Sequence, residues 1–155
     1  ALVESGHRDR VEGYIAKGQA EGARLVLGGA RPETALPGYY VNPTIFADVQ
    51  NSMAIAQEEI FGPVLSAITV KDDAEAVRVA NETSYGLAAA VWTRDLSRAH
   101  KMARQLRAGT VWVNCYDHGD VTVPFGGFKQ SGNGRDKSLH ALDKYTELKT
   151  TWIEL

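Results

Sequence analysis

The stretch that decides the fold is YGLAAAVWTRDLSRAHKMARQLRAGTVWVN, residues 85–114. Its opening, YGLAAAVWT (85–93), is a short apolar run that reads as a buried strand. Asp95 stands where a helix N-cap belongs. Leu96, Ala99, Ala103 and Leu106 then recur at helical spacing and form an apolar stripe. Gly109 stops the helix, and TVWVN (110–114) is a second apolar strand. Strand, helix and strand in that order, with strands apolar throughout rather than alternating, predict parallel strands covered on both faces.

The same rhythm extends toward the N-terminus. Val11, Tyr14 and Ile15 fall at helical spacing within residues 6–21, with Gly18 on the same face, Ser5 as N-cap and Gly22 as terminator. RLVLGG (24–29) is a short apolar strand closed by glycines. GYYVNPTIFADV (38–49) is rich in β-formers, but Pro43 has no N–H to donate, which predicts an edge or irregular strand. PVLSAITV (63–70) reads as a buried strand. Asp72 and Glu75 make a capping pattern for a helix running to about Asn81. The fold class is therefore α/β, a mostly parallel sheet flanked by helices. Beyond Asn114 the character changes. Residues 115–135 form a Gly-rich, largely irregular loop, 136–144 a short helix, and TELKTTWIEL (146–155) a strand-like tail.

The bulk composition narrows the function classes. At 155 residues the chain can bury one real core. A hydrophobic content of 44% and a charged content of 23% are those of an ordinary globular protein. A net charge of −2, with Lys and Arg dispersed, argues against nucleic acid and anionic membrane surfaces as partners. No run reaches the roughly 20 apolar residues of a membrane span, and no signal peptide is read at the start. The single cysteine, Cys115, excludes an internal disulfide and points to a reducing, cytoplasmic setting. The chain opens at Ala1, directly in helix-forming sequence, and reads as a piece of something longer.

Several motifs invite chemistry and fail on inspection. In PFGGFKQSGNGRD (124–136), Gly127 and Gly132 have P-loop spacing, but Asn133 stands where the lysine belongs. The dinucleotide fingerprint needs a glycine three residues after Gly134, and Lys137 is there. Close backbone packing is the better reading of this loop. Cys115 and His118 suggest a thiol nucleophile and base, yet a lone cysteine at a strand end is more often a small buried hydrophobe. His7, His100 and His140 have no second metal ligand at a useful spacing and read as surface or packing residues.

EEIFGPVLS (58–66) remains. Glu58 and Glu59 are either both solvated, or one is aimed at a ligand. Gly62-Pro63 sets the pair at one end of the sheet, where α/β folds bind ligands. A carboxylate there can accept two hydrogen bonds from a ribose diol, and Phe61 can support a flat ring.

Together, EEIFGPVLS, NETSYGLAAAVWT, GTVWVN and PFGGFKQSGNGRD resemble the C-terminal part of the catalytic domain of NAD(P)-dependent aldehyde dehydrogenases, in order and spacing, from Ser5 to the end. The tail, from Asp120 onward, looks most like the γ-glutamyl-γ-aminobutyraldehyde dehydrogenases of putrescine breakdown. The resemblance implies that Glu59 holds the nicotinamide ribose and Phe61 flanks the nicotinamide, with NAD as cofactor and NADP possible. Glu58 inherits no role and is read as solvated. Phe125 matches an aromatic lining the aldehyde pocket, and Tyr116 to Val123 match the loop over the substrate entrance. Asp120, in that loop, either reads an amine or amide on the substrate or is a turn former that bonds its own backbone.

The resemblance also implies what the chain does not carry. The family's nucleophilic cysteine, in a Gly-Gln-x-Cys type segment, and its glutamate base, in Glu-Leu-Gly-Gly, lie upstream of these motifs. Neither segment occurs here, and Cys115 is not the nucleophile. The expectation is a fragment, inactive alone, of an enzyme that oxidises a small-molecule aldehyde through a cysteine thiohemiacetal. Residues 1–144 would belong to the catalytic domain and 145–155 to an oligomerisation strand of a homo-oligomer, a dimer or tetramer. The competing readings are a purely structural or assembly module and a thiol hydrolase using Cys115 and His118. Alkylating Cys115 would abolish only the hydrolase.

Overall fold

The computed structural model describes residues 1–34 and 36–155. It divides into two compact units, Ala1–Asp72 and Asp73–Leu155, and is α/β in both.

The first unit opens with α1 (Ser5–Ala20), followed by β1 (Arg24–Leu27), β2 (Thr44–Ala47), α2 (Ala54–Gln57) and β3 (Val64–Ser66). Glu4, not Ser5, occupies the N-cap of α1, and its extended backbone carries no side-chain cap. The helix stops after Glu21 because Gly22 turns to a φ of 94°. Val11, Ile15 and Gly18 are its buried face. They join a core built with Val41, Phe46, Val49, Met53, Ile55 and Ile60. Phe46 is fully buried on β2, which is the central strand of a sheet ordered β1-β2-β3. This corrects the expectation of an edge or irregular strand. Pro43 precedes the first ladder residue, Thr44, so its missing N–H takes nothing from the sheet. The buried Thr44 hydroxyl donates to the Asn42 carbonyl and accepts from the Gly29 amide, so the polar group is satisfied. β2 runs parallel to β3 but antiparallel to β1, whose register shifts between Leu25 and Leu27. β3 is shorter than expected and only partly covered, with Leu65 on an exposed face.

The second unit contains α3 (Asp73–Asn81), β4 (Tyr85–Gly86), β5 (Ala88–Val91), α4 (Leu96–Gln105), β6 (Thr110–Val113), β7 (Phe128–Lys129) and a 3₁₀ helix (Leu139–Lys144). Strands β5 and β6 are parallel and joined through α4, the unit that residues 85–114 foretold. Asp95 caps α4, its carboxylate accepting from the Arg98 amide at 3.0 Å. The apolar run 85–93 is divided at Leu87 because the chain changes partner there. Tyr85 and Gly86 pair antiparallel with β7, while Ala88–Val91 pair with β6. β5 and β6 are only partly covered, so they are not buried on both faces within this chain. The Gly-rich loop is held by backbone packed on backbone. A Cβ on Gly109 would lie 1.6 Å from the Gly126 carbonyl oxygen. Arg135 donates to the carbonyls of Gly127 and Gly134 and lies over the Phe128 ring. Residues 146–155 form no strand within the chain, and they are exposed throughout. A strand needs a partner for its N–H and C=O groups, and the tail has none among the described residues.

Candidate functional site

Residues 58–62 connect α2 to β3 and are gripped by one face of α1. His7, Val11 and Tyr14 are spaced i, i+4, i+7, which places them in a line along the helix. The Tyr14 hydroxyl donates to Glu58 Oε2 at 2.8 Å, and Lys17 Nζ approaches Glu58 Oε1 at 3.5 Å. The Tyr14 hydrogen bond, followed by the Lys17 charge, holds the Glu58 carboxyl below its ordinary range. Glu58 is exposed but tied down, a correction to its reading as merely solvated. Gly62 packs against Val11 so tightly that a Cβ would stand 2.6 Å from Val11 Cγ2. His7 Nε2 lies 2.6 Å from the Phe61 carbonyl oxygen, and the two rings are 6.0 Å apart. Ile60 turns inward and is buried.

The two side chains between these anchors point away from the core. Glu59 is exposed and takes no hydrogen bond or ion pair among the described residues. Phe61 is 68% exposed and adopts a φ of 56°. An aromatic residue in the left-handed region costs about 1–2 kcal/mol. No apolar burial of its ring offsets that cost.

The second unit carries the loop expected at the substrate entrance. Phe125 and Asp136 exchange backbone hydrogen bonds of 2.8 and 2.6 Å, which fixes the half-buried Phe125 against the chain that follows. Lys137 Nζ stands 5.5 Å from the centre of the Phe125 ring. Asp120 Oδ1 accepts from the Thr122 hydroxyl at 2.6 Å and from the Thr122 amide at 2.7 Å. Those two bonds, the hydroxyl first, with Lys137 contributing, lower the Asp120 carboxyl. This is the turn-forming geometry that a loop aspartate favours. Glu59 and Phe61 thus share one held segment of the first unit. Asp120 and Phe125 share one loop of the second.

Cys115 is partly exposed, and no hydrogen bond joins it to His118 among the described residues. The His118 carbonyl instead accepts from the Trp112 indole at 2.7 Å. No group of three His, Cys, Asp or Glu side chains is arranged for a metal among the described residues. A cleft lined by Trp92, Leu96, Ala99 and Val113, with Thr93, Arg94 and Asn114, contains none of the candidate site residues. What sequence reasoning missed was the grip of α1. The available signal was polar His7 and Tyr14 in line with the core residue Val11.

The chain is α/β, and it holds an exposed carboxylate and an exposed aromatic on the segment that enters β3. Comparison with known proteins makes this specific: residues 1–151 match the aldehyde dehydrogenase family, and the chain belongs to it. It is 54% identical over 154 residues to the NADP/NAD-dependent aldehyde dehydrogenase PuuC of Escherichia coli, covering 99% of this chain and 30% of that protein. It is 52% identical to a betaine aldehyde dehydrogenase of Sinorhizobium fredii, covering 98% and 31%. Among solved structures, an indole-3-acetaldehyde dehydrogenase with NAD+ superposes with a TM-score of 0.94 at 64% identity. The aldehyde dehydrogenase KauB of Pseudomonas aeruginosa gives the same values. Both superpositions cover all of this chain and 31% of theirs. The chain therefore spans about a third of the length of the proteins it matches. No helix among the described residues is long and apolar enough to cross a membrane.

Proposed function

We propose that this chain supplies the cofactor clamp and part of the substrate entrance of an enzyme that oxidises an aldehyde to a carboxylic acid. The observation that carries the proposal is the segment 58–62, in which Glu59 and Phe61 are held out from the core by anchors at Glu58, Ile60 and Gly62. NAD+, or NADP+, is the group that fits. An uncommitted carboxylate suits a vicinal diol, and an exposed aromatic suits a flat ring. When bound, the nicotinamide cofactor supplies the hydride acceptor. Glu59 holds the ribose and Phe61 limits where the ring can lie. Phe125 lines the aldehyde side, and Asp120 shapes the entrance loop through Thr122.

The nucleophile and base belong to segments that do not occur in these residues, so the chain by itself is assigned no reacting group. The substrate we favour is an aldehyde with an amine or amide at its far end, as in γ-glutamyl-γ-aminobutyraldehyde. The similarity to PuuC and the sequence of residues 120–155 support it. Residues 145–155 are proposed to pair with another subunit in a dimer or tetramer, their exposed Leu148 and Trp152 becoming covered there. One cysteine and the absence of a long apolar helix among the described residues accord with a cytoplasmic setting.

Amide hydrogen exchange of the intact enzyme, with and without NAD+, tests the clamp. Residues 58–62 should gain protection when NAD+ is added. Unchanged exchange there, at a concentration that saturates turnover, would refute the assignment.

A further inference from the structure

We infer that His7 is a positioning residue for hydride transfer, acting through the backbone of Phe61. The inference deepens the cofactor reading above and rests on it. A carbonyl oxygen has no proton to give, so at 2.6 Å the His7 Nε2 is the donor and the Phe61 oxygen the acceptor. Fixing that oxygen fixes ψ of Phe61, and with it the plane of the peptide leading into Gly62. The tilted contact between the two rings, at 39°, restrains the Phe61 side chain as well. One imidazole therefore holds both the backbone and the ring of a residue in the left-handed region.

The arrangement serves no core. Phe61 is exposed and His7 only partly buried, so their contact encloses little apolar surface. The core anchors are next door, where Val11 meets Gly62 and Ile60 turns inward. What His7 adds is the direction in which an exposed aromatic points. Strain held in place by a dedicated donor, beside an uncommitted carboxylate, marks a part arranged for a ligand rather than for folding.

The expected signature is a split between rate and affinity. Cofactor affinity draws on the whole dinucleotide, whereas hydride transfer depends on where one ring atom lies. A displacement of about 1 Å can cost roughly 100-fold in rate. Loosening without loss of the ring should cost less, about tenfold in kcat, with KM for NAD+ changed by less than about threefold.

The test uses the intact enzyme with His7→Ala, His7→Gln, His7→Phe and Phe61→Ala. Two readouts are needed: single-turnover hydride transfer, and amide exchange of residues 58–62 without cofactor. His7→Ala should speed exchange and slow hydride transfer about tenfold. His7→Gln, whose amide can donate to the same carbonyl, should recover most of both. His7→Phe, which keeps a ring and loses the donor, should not. If His7→Ala leaves either readout unchanged, or if Gln rescues no better than Phe, the inference is overturned. In that case, slowed transfer in Phe61→Ala leaves the cofactor reading standing. If Phe61→Ala transfers hydride at the normal rate, the cofactor reading fails and the inference fails with it.

Discussion

Tyr14 and Glu58, 44 residues apart in sequence, share a hydrogen bond of 2.8 Å that ties α1 to the segment ahead of β3. The bond is stronger to the carboxylate than to the neutral acid, and together with Lys17 it lowers the pKa of Glu58. A carboxyl with a depressed folded-state pKa contributes its tether fully above the unfolded value. The tether is lost as pH falls through the lowered folded value. Residues 58–62 should therefore keep their amide protection down to about pH 4, the ordinary glutamate range, and lose it below. Tyr14→Phe should move the Glu58 titration, followed by carboxyl carbon NMR, back toward that range. An unmoved titration would show that Lys17 alone sets it.

Glu59→Gln tests the carboxylate that the fold leaves uncommitted. An amide hydrogen-bonds a diol less strongly than a carboxylate does. In the intact enzyme the variant should slow single-turnover hydride transfer more than it weakens NAD+ binding. Unchanged transfer would remove Glu59 from the site.

Asp120→Asn is expected to leave substrate choice alone. The carboxylate is already engaged by both donors of Thr122, with Lys137 nearby to counter its charge. The ratio of kcat/KM for an amino-aldehyde to that for an aliphatic aldehyde of equal length should stay within about twofold, since an exposed carboxylate already held by its own loop offers a substrate amine little. A loss confined to the amino-aldehyde would make Asp120 a reader of the substrate.

Two glycines should respond in opposite directions to alanine. Gly13 lies mid-helix in α1, exposed, with nothing within 4 Å of a built Cβ. Gly13→Ala should raise stability by about 0.5–1 kcal/mol through helix propensity alone. Gly109→Ala sets a methyl 1.6 Å from a backbone oxygen, so β6 or the Gly-rich loop must shift. A loss of at least about 3 kcal/mol is expected in thermal or urea unfolding. Equal melting of the two variants would contradict the packing described here.

Removing residues 145–155 from the intact enzyme should lower its mass in light scattering. Beyond the Tyr145 amide and Thr146 hydroxyl, which both donate to the Leu142 carbonyl, those residues make no hydrogen bond among the described residues, and they expose Leu148 and Trp152 almost completely. As proposed, such a segment would find its backbone partners by pairing with another chain. An unchanged molar mass would assign the tail another purpose.

These contrasts show which parts of the molecule a linear reading reaches. The Asp95 cap and the β5-α4-β6 unit were legible because each depends on residues close in sequence, whereas the helix stop read at Gly109 falls earlier, α4 ending at Gln105 with Leu106 as its C-cap. The central place of β2, the antiparallel run of β1 and the change of partner at Leu87 were not, since strand pairing is decided by distant segments. The site divides in the same way. Glu59 and Phe61 stand in one short motif that resemblance identifies. The donors that hold the motif, His7 and Tyr14, lie 54 residues before Phe61 and 44 before Glu58, and only the fold brings them together.

On the proposed cofactor reading, the left-handed Phe61 sets stability and activity against each other at a single position. Glycine or asparagine there would relieve the backbone at little cost in packing, because the ring is already exposed. A search for thermally hardier variants that scores melting alone should therefore select the replacement of Phe61. The winners would be more robust proteins with no ring at the proposed cofactor site. Selection for heat resistance and selection for turnover should diverge at this residue first.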